Sequence, residues 1–202
     1  MREWLHQEIA KRLTEQASFL VTKHENALWL TTGDFIPEAD HLAKKVVVQD
    51  RSELISQVPG AHFDIVLVHL LPGDMDLQLL IWQQLSCLVK EGAALFFSAW
   101  SVDTFKEWRN QSPLIEFQDM HNIGDGLAQA GWTDTVMSSQ KMQVTYENIA
   151  SLLCDAEIVG LKPSRELIMP QKITYEIAFG HAVFSRKLKS RQLGEYEVTI
   201  DR

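Results

Sequence analysis

Three continuous apolar runs, Val46-Val47-Val48, Phe63 to Leu70 and Ala93 to Trp100, constrain the fold of this chain more than any other feature. Mostly apolar rather than alternating, they have the pattern of strands covered on both faces. Ala27 to Thr32 is a fourth such run, stopped by Gly33-Asp34, a turn signal. Between the runs lie helical signals. Asp50-Arg51-Ser52-Glu53 has capping-box form, and Asp76 to Lys90 reads as a helix that ends before Glu91-Gly92. Strands that alternate with helices predict an α/β fold, a doubly wound and mostly parallel sheet with helices on both faces and right-handed crossovers.

The flanking segments complete the pattern. Leu5, Ile9, Leu13 and Ala17 mark one face of an amphipathic helix from Glu3 to Phe19. Beyond Trp100 the sequence predicts a helix around Thr104 to Arg109, another near Asn122 to Ala130 closed by Gly131, a strand-like Gln143 to Tyr146, and a last core strand from Ile173 to Phe184. With 202 residues, 46% of them hydrophobic, the chain suits one well-filled domain, 1–184, followed by a basic-to-polar tail, 185–202.

A net charge of -8 argues against nucleic acid as a partner, since phosphate contact needs a surplus of Lys and Arg. Cys87 and Cys154, far apart in apolar stretches, read as small core residues in a reducing compartment, with no metal bound through them. The acidic, polar first residues carry no export signal. The most apolar helix, Asp76 to Lys90, falls short of the roughly 20 residues that span a membrane. The expectation is a soluble, cytoplasmic protein.

Three segments carry a resemblance. Phe117-Gln118-Asp119-Met120-His121-Asn122-Ile123-Gly124-Asp125, continuing to Ala130-Gly131-Trp132, is similar to the "F-P-D-M-H-D-L-G-D … A-G-F" stretch of the malonyl-acyl-carrier-protein O-methyltransferases of biotin synthesis. Met142 to Tyr146 with Leu152-Leu153 resembles that family's "L-T-L-T-Y … L-L", and Thr174 to Ala182 its closing "L-T-Y-E-V-V-Y-G-H-A". Upstream, Phe63-Asp64-Ile65-Val66 and Asp103 to Arg109 resemble its "F-D-L-V" and "D-T-L-x-E-L-R". The resemblance implies a Rossmann-like methyltransferase fold of about seven strands. It also implies S-adenosylmethionine bound at the carboxyl ends of the first strands, and methyl transfer to the free carboxylate of a malonyl thioester on acyl carrier protein.

Mapped onto this chain, the cofactor-binding candidates are Gly33, Asp34, Asp50 and His69. Asp50 matches the acid that holds the ribose hydroxyls, and its other reading is the N-cap of a following helix. His69, at a strand's carboxyl end, reads as facing adenine or the methyl acceptor, or else as a structural histidine. Arg109 is the candidate grip on a substrate carboxylate through a planar two-point contact, against an ordinary exposed arginine. His121 and Asp125 are assigned to the turn capped by Asp119, and Tyr175 and His181 to the scaffold of one face. Arg186, Lys187, Lys189 and Arg191 offer either a dock for acyl carrier protein or a solvated tail.

The pattern departs from the family in two places. Where the family has "D-L-G-C-G-T-G", this chain has Trp29-Leu30-Thr31-Thr32-Gly33-Asp34-Phe35, with β-branched bulk in place of glycine. The family's "F-x-x-A-A-x-x-Y-D" lid segment has no counterpart in the residues present. These departures support a second expectation, a catalytically inactive binding or assembly protein that keeps the fold without the cofactor.

Overall fold

A computed structural model describes residues 2–20, 24–31, 41–50, 63–109, 117–161 and 172–186. Along the chain come α1 (Arg2–Leu20), β1 (His24–Thr31), β2 (Ala43–Asp50), β3 (Phe63–Leu71), α2 (Met75–Leu88) and β4 (Val89–Trp100). A short 3-10 turn (Lys106–Trp108), α3 (Met120–Gln129), β5 (Trp132–Val144), α4 (Ile149–Ile158) and β6 (Ile173–Phe184) follow.

The strands form one sheet in the order β2-β1-β3-β4-β6-β5. β2, β1, β3 and β4 run parallel, and β6 lies antiparallel between β4 and β5. This is the expected mostly parallel sheet, with six strands among the described residues where about seven were expected. Each strand splits its side chains between two cores. Trp29, Leu67, Phe96, Tyr175 and Phe179 join one, while Leu28, Leu30, Val66, Phe97 and Phe184 join the other.

On the first face lies α1, whose predicted stripe of Leu5, Ile9, Leu13 and Ala17 is fully buried. On the second lies α2, N-capped by Asp74, whose Oδ1 accepts from Leu77 N at 2.8 Å; it buries Gln78, Ile81, Trp82, Leu85 and Leu88. Asp119 caps α3 as expected, accepting from His121 N at 2.7 Å, and Gly131 closes the turn after it at φ 88°.

Several elements differ from the sequence reading. α2 ends at Leu88 and β4 already begins at Val89, the chain passing Gly92 at φ 77° before its apolar run. The helix expected at Thr104 to Arg109 is a single 3-10 turn, entered through Phe105 at φ 54° and fixed by Phe105 N donating to Thr174 O at 2.8 Å. Of the strand-like Gln143 to Tyr146 only Gln143 and Val144 are strand, the end of a much longer β5, an edge strand too polar to show a hydrophobic run. Cys87 and Cys154 are exposed, not core: on α2 and α4 they fall outside the stripes that face the sheet. Among the described residues no helix is long and apolar enough to cross a membrane, and no cluster of His, Cys, Asp or Glu could hold a metal ion.

Candidate functional site at the carboxyl edge of the sheet

From β1 the chain turns to β2 on one side and then returns to β3 on the other. That reversal makes the crevice beyond the carboxyl ends of β1 and β3 the place where an open α/β sheet receives a ligand. Thr31, Asp50, Leu71 and Trp100 are the last residues of the four parallel strands there.

Asp50 is half-buried and lies in register with Thr31. The Thr31 side chain, 2% exposed, donates from Oγ1 to the Gln49 carbonyl at 3.4 Å and so sits between the ends of β1 and β2. Beside it, the buried Gln49 Nε2 has no acceptor among the described residues. Gly33 and Asp34, and the helix start that offered Asp50 its capping role, lie outside the described residues.

His69 is fully buried. A register shift between Val68 and Leu71 inserts one extra residue in β3. Leu70, a buried non-glycine residue, takes φ 56° there while its N–H donates to Ser98 Oγ at 2.9 Å. Bulges of this kind re-aim neighbouring side chains, and a non-glycine residue held left-handed stores about 1–3 kcal/mol that its surroundings must offset. The His69 ring meets His6 of α1 edge-on, with centroids 5.1 Å apart. Burial holds the His6 imidazole below its ordinary pKa, against the pull of the Asp155 carboxylate.

Asp155 belongs to a group that sequence reasoning missed. Tyr146 donates to Asp155 Oδ2 at 2.8 Å and shares a hydrogen bond of 2.5 Å with the Tyr175 hydroxyl. All three are buried, and Asp155 Oδ1 has no donor among the described residues. Burial foremost raises both phenols well above their usual range; at Tyr146 the Tyr175 hydroxyl opposes this and the Asp155 carboxylate adds to it, while at Tyr175 both neighbours add to it, so both remain protonated donors rather than bases. Tyr175 is a scaffold residue, as expected, but its partner is Tyr146. His181, on the same face, stacks on Phe96 with centroids 5.9 Å apart.

Arg109 stands beyond β4, its side chain 55% exposed. Nη2 donates to the Val102 carbonyl at 2.5 Å and lies 3.7 Å from Asp103 Oδ1, so the guanidinium folds onto its own turn. Asp103 is the centre of that turn. A hydrogen bond from Lys141 (2.7 Å) foremost, with Lys106 at 3.5 Å, holds its carboxyl below the usual range. Glu107 ties the turn to β6 through Thr174 N (3.0 Å) and Thr174 Oγ1 (2.5 Å). His121 is exposed and bonds its Nδ1 to Asp119 at 2.6 Å, which matches its assignment to the turn. Asp50, His69 and Arg109 thus share one edge of the sheet.

No family model matches the chain. Among curated proteins it is similar to malonyl-[acyl-carrier protein] O-methyltransferase of Gallionella capsiferriformans, 31% identical over 129 residues, which is 49% of this chain and 44% of that protein. It is also similar to malonyl-[acyl-carrier protein] O-methyltransferase 1 of Coxiella burnetii, 34% identical over 83 residues, 39% of this chain and 29% of that protein. The similarity spans less than half the length of these relatives. Among solved structures, a candidate methyltransferase from Bacillus halodurans C-125 shares 14% identity at TM-score 0.59, over 87% of this chain and 98% of its own. Haemonchus contortus phosphoethanolamine N-methyltransferase 2, solved with S-adenosylhomocysteine, shares 13% at TM-score 0.51, over 90% of this chain and 52% of its own. At such identities the likeness is one of fold. In sequence this chain is similar to the malonyl-[acyl-carrier protein] O-methyltransferases over part of its length, and its fold is that of the solved methyltransferases.

Proposed function

We propose that this chain is an S-adenosylmethionine-dependent O-methyltransferase that acts on the free carboxylate of a malonyl group carried by acyl carrier protein. The observation that carries the reading is the chain reversal between β1 and β3, with Asp50 and His69 at the strand ends that border it. Similarity to curated enzymes of that name supports the acceptor. The cofactor supplies an electrophilic methyl group on a sulfonium sulfur. Asp50, with two acceptor oxygens, holds vicinal hydroxyls, and Gly33 and Asp34, outside the described residues, are the other candidates for contact with the cofactor. Gln49 Nε2, shut from solvent without an acceptor, fits a polar ligand at this edge. His69, fully buried, shapes the crevice where methyl donor and acceptor align. Arg109 exchanges the Val102 carbonyl for the substrate carboxylate. The residues bind and orient, because methyl transfer depends on close in-line approach.

A second reading has its own observation. The Thr31 side chain is buried against the Gln49 carbonyl where the family has glycine, and this favours a protein that keeps the fold and no longer takes the cofactor. Calorimetric titration with S-adenosylmethionine and S-adenosylhomocysteine separates the two. Micromolar binding, followed by methyl ester formation on malonyl-acyl carrier protein, is expected for the enzyme. No heat, together with an unchanged melting temperature at ligand excess, rejects it and leaves the binding role.

A further inference from the structure

Strand β2 has the sequence of an interior strand and stands at the edge of the sheet. Val46-Val47-Val48 is β-branched throughout, yet β1 is the one strand it pairs with among the described residues. Val48 is 41% exposed, and Val46 and Val47 are half-buried. A β-branched edge whose outer N–H and C=O groups face no strand among the described residues is a template for another one.

The strand is also complementary to itself. Antiparallel pairing about a two-fold axis through Val47 sets Val46 opposite Val48, Lys45 opposite Gln49 and Lys44 opposite Asp50. Lysines on an edge ordinarily ward off pairing. In this register Lys44 meets a carboxylate instead and keeps its 2.6 Å contact with Glu25 of β1 within reach, while Lys45, exposed, falls opposite the buried Gln49. Slipping the register by two residues one way sets both lysines against valines, and slipping it the other way sets Val46 against Asp50. One register therefore satisfies apolar and charged positions together. We propose that two copies of this chain associate through β2, edge to edge, and join their sheets into one across a two-fold axis.

Light scattering on the eluting protein tests this directly: the expected mass is twice the 23.1 kDa of the single chain. Val48→Lys, at an exposed position, is expected to halve that mass while the circular dichroism spectrum is unchanged. Cross-linking tests the register. With Cys87 and Cys154 replaced by serine, Val47→Cys lies on the axis, where facing Cα atoms stand roughly 4.5–5.5 Å apart, within disulfide range. Mild oxidation is expected to link that variant into a dimer and to leave Val48→Cys, displaced from its counterpart along the strand, unlinked. A single-chain mass for the unmodified protein at every concentration overturns the proposal, and equal cross-linking of the two cysteine variants overturns the register.

Discussion

Gly180 sits where a methyl group has no room. A Cβ built there would lie 2.4 Å from Phe97 Cζ, 2.7 Å from Phe97 Cε1 and 3.1 Å from Met137 Cγ, and Phe97 is itself fully buried. Gly180→Ala is therefore expected to destabilise the fold by roughly 1–3 kcal/mol, measured from the urea midpoint. The tyrosine pair gives a prediction with a built-in contrast. Tyr146→Phe removes the one donor that Asp155 has among the described residues and strands a buried carboxylate, so it should cost about 1–3 kcal/mol. Tyr175→Phe removes a hydrogen bond between neutral groups and should cost about 0.5–1.5 kcal/mol. A larger loss for Tyr175→Phe would contradict this geometry. Both phenols are raised in the fold, so their contribution is complete below the unfolded value of about 10 and lost as pH climbs above it. Absorbance titration of the native protein should therefore show these two tyrosines silent until alkaline unfolding. At this scale the ends of the apolar runs put Asp50 and His69 forward as candidates. Sequence reading missed Tyr146 and Asp155, which meet each other and Tyr175 only through the packing of α4 against the ends of β5 and β6.

Among the elements, α1 was legible because an apolar residue every four positions can have one meaning, whereas β5 was not. An edge strand needs no continuous apolar run, and the 13 residues of β5 show only a weak alternation of half-buried and exposed positions. The turn at Lys106–Trp108 misled for a different reason: its backbone is fixed by β6, through Thr174 and Glu176, and local sequence does not record a distant partner. Strand joints also carry pH dependence. Asp64, at the start of β3, accepts from Asn26 N of β1 at 3.0 Å and from Lys90 of β4 at 2.6 Å. Burial opposes its charge, but those two bonds outweigh it and hold the carboxyl below its ordinary value. Its contribution is present above the unfolded pKa, near 3.8, and disappears as pH falls through the lower folded value. Asp64→Asn is expected to lower the urea midpoint at pH 7 and to flatten its decline in acid. An acid limb as steep as that of the parent would rule this role out.

For the molecule as a whole, the class of fold followed from the alternation of buried strands and helices, and the order of the strands did not. No local signal places β6 between β4 and β5; what places it there is edge-to-edge antiparallel pairing with both, which suits a strand with eight consecutive buried residues from Ile173 to Gly180. That position has a consequence for how the molecule is made. The last described strand to leave the ribosome is an interior one, so β4 and β5 wait with open edges until Phe184 has emerged. A chain stopped after Lys172 should have lost cooperative unfolding and should be cut rapidly by protease, whereas one stopped after Arg186 should resist. Assembly of this sheet accordingly waits on β6, and the open edges of β4 and β5 must be kept from aggregating until that strand has been made.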